Sequence, residues 1–374
     1  MFQFKNKSIL IISPEKWGDV RVSKHHYALE LAKMGNKVYF LNPPFKYNPT
    51  QIIITKVKQN LWIIDYYPFI RGLNQLPLIF RKYFQYSFAK KILKTIRTSI
   101  DLTWSFDPSS FQYLSAFGAK LNIFHPVDVH RSSFEREITK YTDLFLATSN
   151  RIIDRYKGVN KPMFKINHGL ADYFLLPQHK NYDFIKRPNQ TNVGYVGNLH
   201  YQFLDIPVLK DIITHNPNID FYFIGPYEGS NIGNIKYNSK FVDWLNEMTN
   251  TYLIGTVPSE DLPTYLSKFD LFLMCYTGDR NITEMANPHK LLEFLSTGKV
   301  VVTHYIDEYK KQAQEGIICM TKNNCDLPEL FSKVIRNLSV YNNSKIKHKR
   351  ISIAINNTYE KQLNRIESII KNKL

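Results

Sequence analysis

No uninterrupted apolar run in the 374-residue sequence approaches the ~18 residues needed to cross a bilayer, so no transmembrane helix is expected. The first apolar run is broken by Pro14 and Glu15. It is too short for the core of a secretory leader and has the shape of a first strand. Cysteine is scarce: Cys275, Cys319 and Cys325 are odd in number and lack paired metal-site spacing, which predicts packing residues in a reducing, cytoplasmic compartment. Low-complexity tracts and short-period repeats are absent. Acidic residues are scarce in one half only. Residues 1–180 hold 27 Lys and Arg against 12 Asp and Glu, a balance of +15, while the remainder holds 22 against 20. This asymmetry predicts a polyanionic surface facing the first half: anionic membrane, charged acceptor or nucleic acid.

What is present is ample apolar material, 44% of residues with 22% charged, enough for two α/β cores. Short β-rich runs alternate with amphipathic stretches. A first series of strands is expected at 8–13, 37–41, 61–66, 102–105, 121–124, 144–148 and 163–166. A second is expected at 192–196, 220–224, 252–254, 271–274, 300–303 and 317–320, with helices between, as at 22–34, 207–215 and 288–297. Repeated strand–helix units predict two doubly wound parallel sheets. The polar, proline-containing stretch 171–190 reads as a linker between residues 1–170 and 191–340. In the tail, 341–374, Ile351, Ile355, Leu363, Ile366 and Ile370 recur at helical spacing and predict a helix packing back on the first domain.

Open α/β sheets bind ligands where strands end. The strongest local signal of that kind is NPHKLLEFLSTGKVVVT, residues 287–303. Asn287 suits an N-cap and Pro288 the first helical position. The amides of His289, Lys290 and Leu291 would then face the positive end of a helix dipole, an anion site with Lys290 adding a full charge. Glu293 lies one turn deeper on the same face, placed to accept from two vicinal hydroxyls. Gly298 closes the helix.

This segment resembles the donor-binding stretch of GT-B glycosyltransferases, in particular the large family four and the teichuronic-acid and glucuronosyltransferase-like groups. There a Pro-x-Lys-x-x-Glu helix start binds the diphosphate and ribose of a nucleotide sugar. Other segments are similar in the same order over about residues 8–320. NVGYVGNLHYQFLDIPVL resembles the opening strand and glycine turn of the second domain, implying close phosphate approach at Gly197 and further amides from Asn198 and Leu199. YLIGTVPSEDLPTYL resembles the turn that meets the nucleobase, implying base contacts by Thr256 and Val257. Two departures stand out. The basic pair usual after the glycine turn is replaced by Asn198, His200 and Gln202, and the Glu-x7-Glu pattern is incomplete, with Met285 eight residues before Glu293 and Glu284 displaced by one.

The resemblance implies a GT-B fold with two Rossmann-like domains facing a cleft. It implies transfer of a hexosyl unit from a nucleoside-diphosphate sugar, with UDP expected, to a glycan or lipid-linked saccharide in cell-surface polysaccharide synthesis. No Asp-x-Asp triplet of the metal-dependent kind occurs, so neither metal nor cofactor is called for. On the catalytic side, the loop after the strand at 121–124 offers Asp128 as a general base if the reaction inverts and His125 as a sugar contact. The loop after the first strand offers Gly18, Asp19, Arg21 and His26 on the acceptor side. The segment Tyr66–Arg97 interleaves aromatic and aliphatic residues with seven basic ones, as an element touching anionic lipid would. Two alternatives stay open: a nucleotide-sugar epimerase of the same fold, and a nucleic-acid-binding protein, for which no RRM, helix-turn-helix or zinc pattern exists.

Overall fold

The computed structural model describes residues 3–44, 52–67, 72–128, 134–176, 180–187, 189–227, 239–277 and 287–373. The chain divides into two compact units, Met1–Gly169 with Tyr359–Leu374, and Leu170–Ile282 with Asn287–Thr358.

The first unit is built on an eight-stranded sheet ordered β3-β4-β2-β1-β5-β6-β7-β8. Its strands are β1 (Ser8–Ile12), β2 (Lys37–Leu41), β3 (Ile53–Lys58), β4 (Leu61–Asp65), β5 (Leu102–Ser105), β6 (Leu121–Phe124), β7 (Leu144–Ala147) and β8 (Met163–Lys165). All pairings are parallel except β3 with β4. Every residue of β1, β5, β6 and β7 is buried or nearly so, because helices α1 (Ser23–Lys33), α2 (Leu78–Ile96), α3 (Phe134–Lys140) and α4 (Asn150–Arg155) cover the sheet. β3 is different. In IITKVK only Ile54 and Val57 are half-buried and the other four residues are exposed, and the strand closes the sheet as an antiparallel edge.

The second unit has a six-stranded, all-parallel sheet ordered β11-β10-β9-β12-β13-β14. The strands are β9 (Thr191–Val196), β10 (Ile219–Ile224), β11 (Thr251–Gly255), β12 (Leu271–Met274), β13 (Val300–Thr303) and β14 (Cys319–Met320). The reversal of order beside β9 is the switch point of a doubly wound sheet. Helices α5 (Ile206–Thr214), α6 (Ser239–Glu247), α7 (Leu262–Leu266), α8 (Lys290–Ser296), α9 (Lys310–Gln314), α10 (Leu327–Arg336), α11 (Leu338–Tyr341) and α12 (Ser344–Ile355) belong to this unit. Helix α13 (Tyr359–Lys373) returns to the first unit, where it packs on α1 with Leu363, Ile366 and Ile370 buried. The tail read from sequence as one piece is therefore shared between the two units, α12 in the second and α13 in the first. Among the described residues, no helix is long and apolar enough to cross a membrane.

Candidate functional site

In a parallel sheet every strand ends on the same edge. The turns after β9, β10, β11 and β12, and the start of α8, therefore share the carboxyl edge of the second sheet. Backbone bonds tie these turns together: Gly197 N–H donates to Ile224 O at 2.9 Å, Leu199 N–H to Pro226 O at 3.1 Å and Gly225 N–H to Gly255 O at 2.8 Å. Gly225 has φ +136°, and a Cβ there would sit 2.1 Å from the Gly197 carbonyl oxygen, so the β9 and β10 turns can approach this closely only at glycine. The expectation that Leu199 offers an open amide is corrected by its bond to Pro226. The Asn198 side chain turns inward and accepts from His200 N–H at 2.9 Å. Thr256 is exposed and Val257 half-exposed just past β11.

Helix α8 begins later than its sequence suggests. Asn287 is buried but does not cap it; the cap position is His289, in helical conformation and without a side-chain cap bond. The opening bonds are of the tight i→i+3 kind, Leu291 N–H to Pro288 O at 3.2 Å and Leu292 N–H to His289 O at 3.1 Å. The Leu291 amide is thus engaged, and the Lys290 amide precedes the first bonded donor. Phe294 stacks on Phe272 of β12, ring centroids 4.3 Å apart, and Leu291, Leu292 and Leu295 are fully buried, which fixes the helix on the sheet.

Glu293 is the electrostatic feature of this helix. Its side chain is only 17% exposed, and its Oε2 is buried with no hydrogen-bond partner. Burial pushes its carboxyl up to about 6, with Lys290 opposing the shift. The nearest counter-group, His289 Nε2, stands 3.9 Å from Oε1, too far for a hydrogen bond. A half-satisfied carboxylate held one turn inside a helix start is costly for the fold, and such groups concentrate where a ligand completes them.

Two features of this unit escape the sequence reading. Arg350 of α12 is fully buried and donates to Ile317 O at 2.7 Å, Gly298 O at 3.0 Å and Asn342 Oδ1 at 3.1 Å, clamping the end of α8. His304, directly after β13, is 1% exposed, and burial holds its imidazole down to about 4. It lies edge-on to Tyr276 at 5.1 Å. A histidine straight after a VVVT strand was the available signal.

In the first unit, His125 follows β6 as expected, but its side chain is fully buried among Tyr27, Trp104 and Phe106, with ring centroids 5.8, 5.9 and 5.1 Å away. Neither ring nitrogen has a hydrogen-bond partner, and burial depresses its pKa to about 3, so the imidazole is neutral at physiological pH. Asp128 is exposed. Around the β1–α1 loop, Gly18 and Asp19 are exposed, and a Cβ at Gly18 would meet nothing within 4 Å. Arg21 is half-buried. His26 is not at the mouth of that loop; it is 8% exposed and stacks on Tyr359 at 4.8 Å. Its neighbour His25 holds the loop instead. Nδ1 accepts from Val22 N–H at 3.1 Å, which leaves the proton on Nε2 to donate to Lys16 O at 3.0 Å. Glu284, Met285 and part of the basic segment, residues 68–71, lie outside the described residues. Among the described residues, no three His, Cys, Asp or Glu side chains gather as a metal site.

No family model matches the sequence, and no curated protein matches it. Solved structures do match its fold. A glycosyltransferase from Rickettsia africae aligns over 99% of this chain and 100% of its own at 13% identity and TM-score 0.69. Sucrose-phosphate synthase from Thermosynechococcus elongatus aligns over 98% of each chain at 12% identity and TM-score 0.68. HepE from Anabaena, in complex with UDP and glucose, aligns over 98% and 100% at 14% identity and TM-score 0.67. At such identities the likeness establishes the fold, which is GT-B: two Rossmann-like units in one chain.

Proposed function

We propose that the protein is a glycosyltransferase that takes a hexosyl unit from a nucleoside-diphosphate sugar, with UDP as the nucleotide, and passes it to a saccharide or lipid-linked saccharide in cell-surface polysaccharide synthesis. The observation that carries this reading is Glu293. It is a buried carboxylate with an orphaned oxygen beside Lys290, at the start of a helix on the ligand-binding edge of a GT-B unit. A ribose 2′,3′-diol would donate to that carboxylate. The diphosphate would lie against Lys290, its amide and the positive end of α8, and the base against Thr256 and Val257. The neighbour crystallised with UDP and glucose, HepE, supports the choice of nucleotide.

In this reading Lys290 and the α8 dipole balance the charge that grows on the departing diphosphate as the glycosidic bond breaks. No metal is assigned to that step. His125 stays the candidate sugar contact. At a pKa of about 3 its imidazole would act as a neutral donor or acceptor, not as an acid. Asp128 is the candidate base for an inverting transfer; a retaining one needs positioning and charge stabilisation instead. Gly18, Asp19 and Arg21 remain the proposed acceptor side. A panel of UDP, GDP, ADP and TDP sugars tested by thermal shift should show stabilisation by UDP compounds. Turnover of the stabilising donor without any acceptor, giving an epimerised nucleotide sugar, would replace the transferase reading by an epimerase.

A further inference from the structure

Helix α2 is seated at only one end. Gln85, Phe88, Ala89, Ile92 and Ile96 bury its later turns in the core of the first unit. The opening turns have no such seat: Leu78 is 54% exposed, Ile79 75%, Phe80 55% and Tyr83 69%. Four large apolar side chains within six positions thus face outward, where a helix of a globular domain ordinarily carries charge. The helix does carry charge, all of one sign. No Asp or Glu occurs between Asp65 and Asp101. Lys82, Lys90, Lys91 and Lys94 are exposed along it. Arg81 lies over the ring of Phe134 at 4.9 Å and Lys82 over that of Tyr141 at 5.8 Å, which ties the start of α2 to α3. Beyond, α3, the end of α4 and the stretch after it line a recess that holds Arg136, Lys140, Arg155, Lys157 and Lys161 with Glu135; Arg155 pairs with Glu135, Lys140 with Glu137 and Lys157 with Asp154.

We propose that the opening of α2 docks on an anionic lipid surface, Ile79 and Phe80 entering the boundary between headgroups and acyl chains while Lys82, Lys90 and Lys91 lie against lipid phosphates. The combination selects this partner. Leu78 and Ile79, the aliphatic half of the exposed set, give a nucleic acid nothing to stack on, whereas acyl chains accept them together with the rings of Phe80 and Tyr83; a second copy of the same face would bring like charges together. A lipid surface of negative potential satisfies both, at about 1 kcal/mol of attraction for each cation near it. This inference does not depend on the donor site, since it concerns only the first unit.

The test is co-sedimentation of the full chain with vesicles of phosphatidylcholine alone or of phosphatidylcholine with phosphatidylglycerol. The wild-type chain should bind the mixed vesicles, release them as salt is raised, and ignore the neutral ones. Ile79→Glu with Phe80→Glu should weaken partitioning at least about tenfold. Lys90→Glu with Lys91→Glu should weaken it and flatten the salt dependence. Both variants should keep the wild-type melting temperature and UDP-induced stabilisation. Equal binding of wild type and the Ile79/Phe80 variant overturns the proposal. So does absence of binding to the mixed vesicles, as does a dimer in sedimentation that the Ile79/Phe80 variant dissolves.

Discussion

Glu293→Gln should separate fold stability from donor binding, because the native carboxylate is bad for one and good for the other. Burial raises its pKa from 4.5 to about 6 in the folded chain. At 1.36 kcal/mol per unit, the fold carries a cost of about 2 kcal/mol when this group is ionised, trimmed to roughly 1 by its exposed edge and by the imperfect fit of an amide. The sign follows from the direction of the shift. A raised carboxyl favours the neutral form in the native state, so its stabilising contribution is complete below pH 4.5 and lost as pH rises through about 6. At pH 8 the glutamine variant should therefore be more stable without ligand by roughly 1 kcal/mol, read as a rise of about two to four degrees in Tm, what such a free energy gives in a domain of the second unit's size. The same change removes the charge from two hydrogen bonds to the ribose, worth about 1.5–3 kcal/mol each, partly offset by the charge's own desolvation. UDP should bind roughly 100-fold more weakly by calorimetry. A variant that melts lower and binds UDP as tightly as wild type would refute the reasoning.

Other outcomes follow from named contacts. Affinity of the wild-type chain for a UDP-sugar, whose esterified diphosphate does not titrate in this range, should fall about tenfold per unit as pH drops below about 6, while Glu293→Gln should show no such slope; calorimetry across pH 5–8 checks both. Arg350→Ala should cost about 3 kcal/mol in urea unfolding, since it strands the carbonyls of Ile317 and Gly298 inside the second unit. An unchanged midpoint would mean that the clamp is idle. Gly225→Ala, with φ +136° and a backbone oxygen 2.1 Å from the new methyl, should cost roughly 3 kcal/mol or more and abolish UDP stabilisation. His25→Phe keeps the stack on Phe40 but loses both loop bonds, and should speed proteolytic cleavage within residues 14–22 without changing UDP affinity.

The architecture was legible because the inner strands of both sheets are buried on both faces, so that SILII, LFLA and VVVT read as unbroken apolar runs. β3 was not. IITKVK is a mostly exposed antiparallel edge whose lysines mask any run, and an edge strand takes its pairing from its neighbour. At the proposed donor site the sequence misplaced the helix start. Asn287 and Pro288 are good opening residues locally, yet packing of Leu291, Leu292 and Phe294 on β12 sets the first turn nearer Lys290. Burial is a tertiary property. The raised carboxyl of Glu293, the enclosure of His125 among three aromatic rings and the stack of His26 on Tyr359 all depend on elements distant in the chain. Arg350 is the plainest example, since its main acceptors lie 33 and 52 residues away and no local pattern announces them.

The central claim is that the second unit holds a nucleoside diphosphate at the start of α8. A crystal structure of the chain with UDP tests it most directly. Diphosphate oxygens should lie within hydrogen-bond distance of the Lys290 amide or ammonium, and both ribose hydroxyls on the Glu293 carboxylate. UDP bound elsewhere on the protein, with Glu293 still unpartnered, would contradict it.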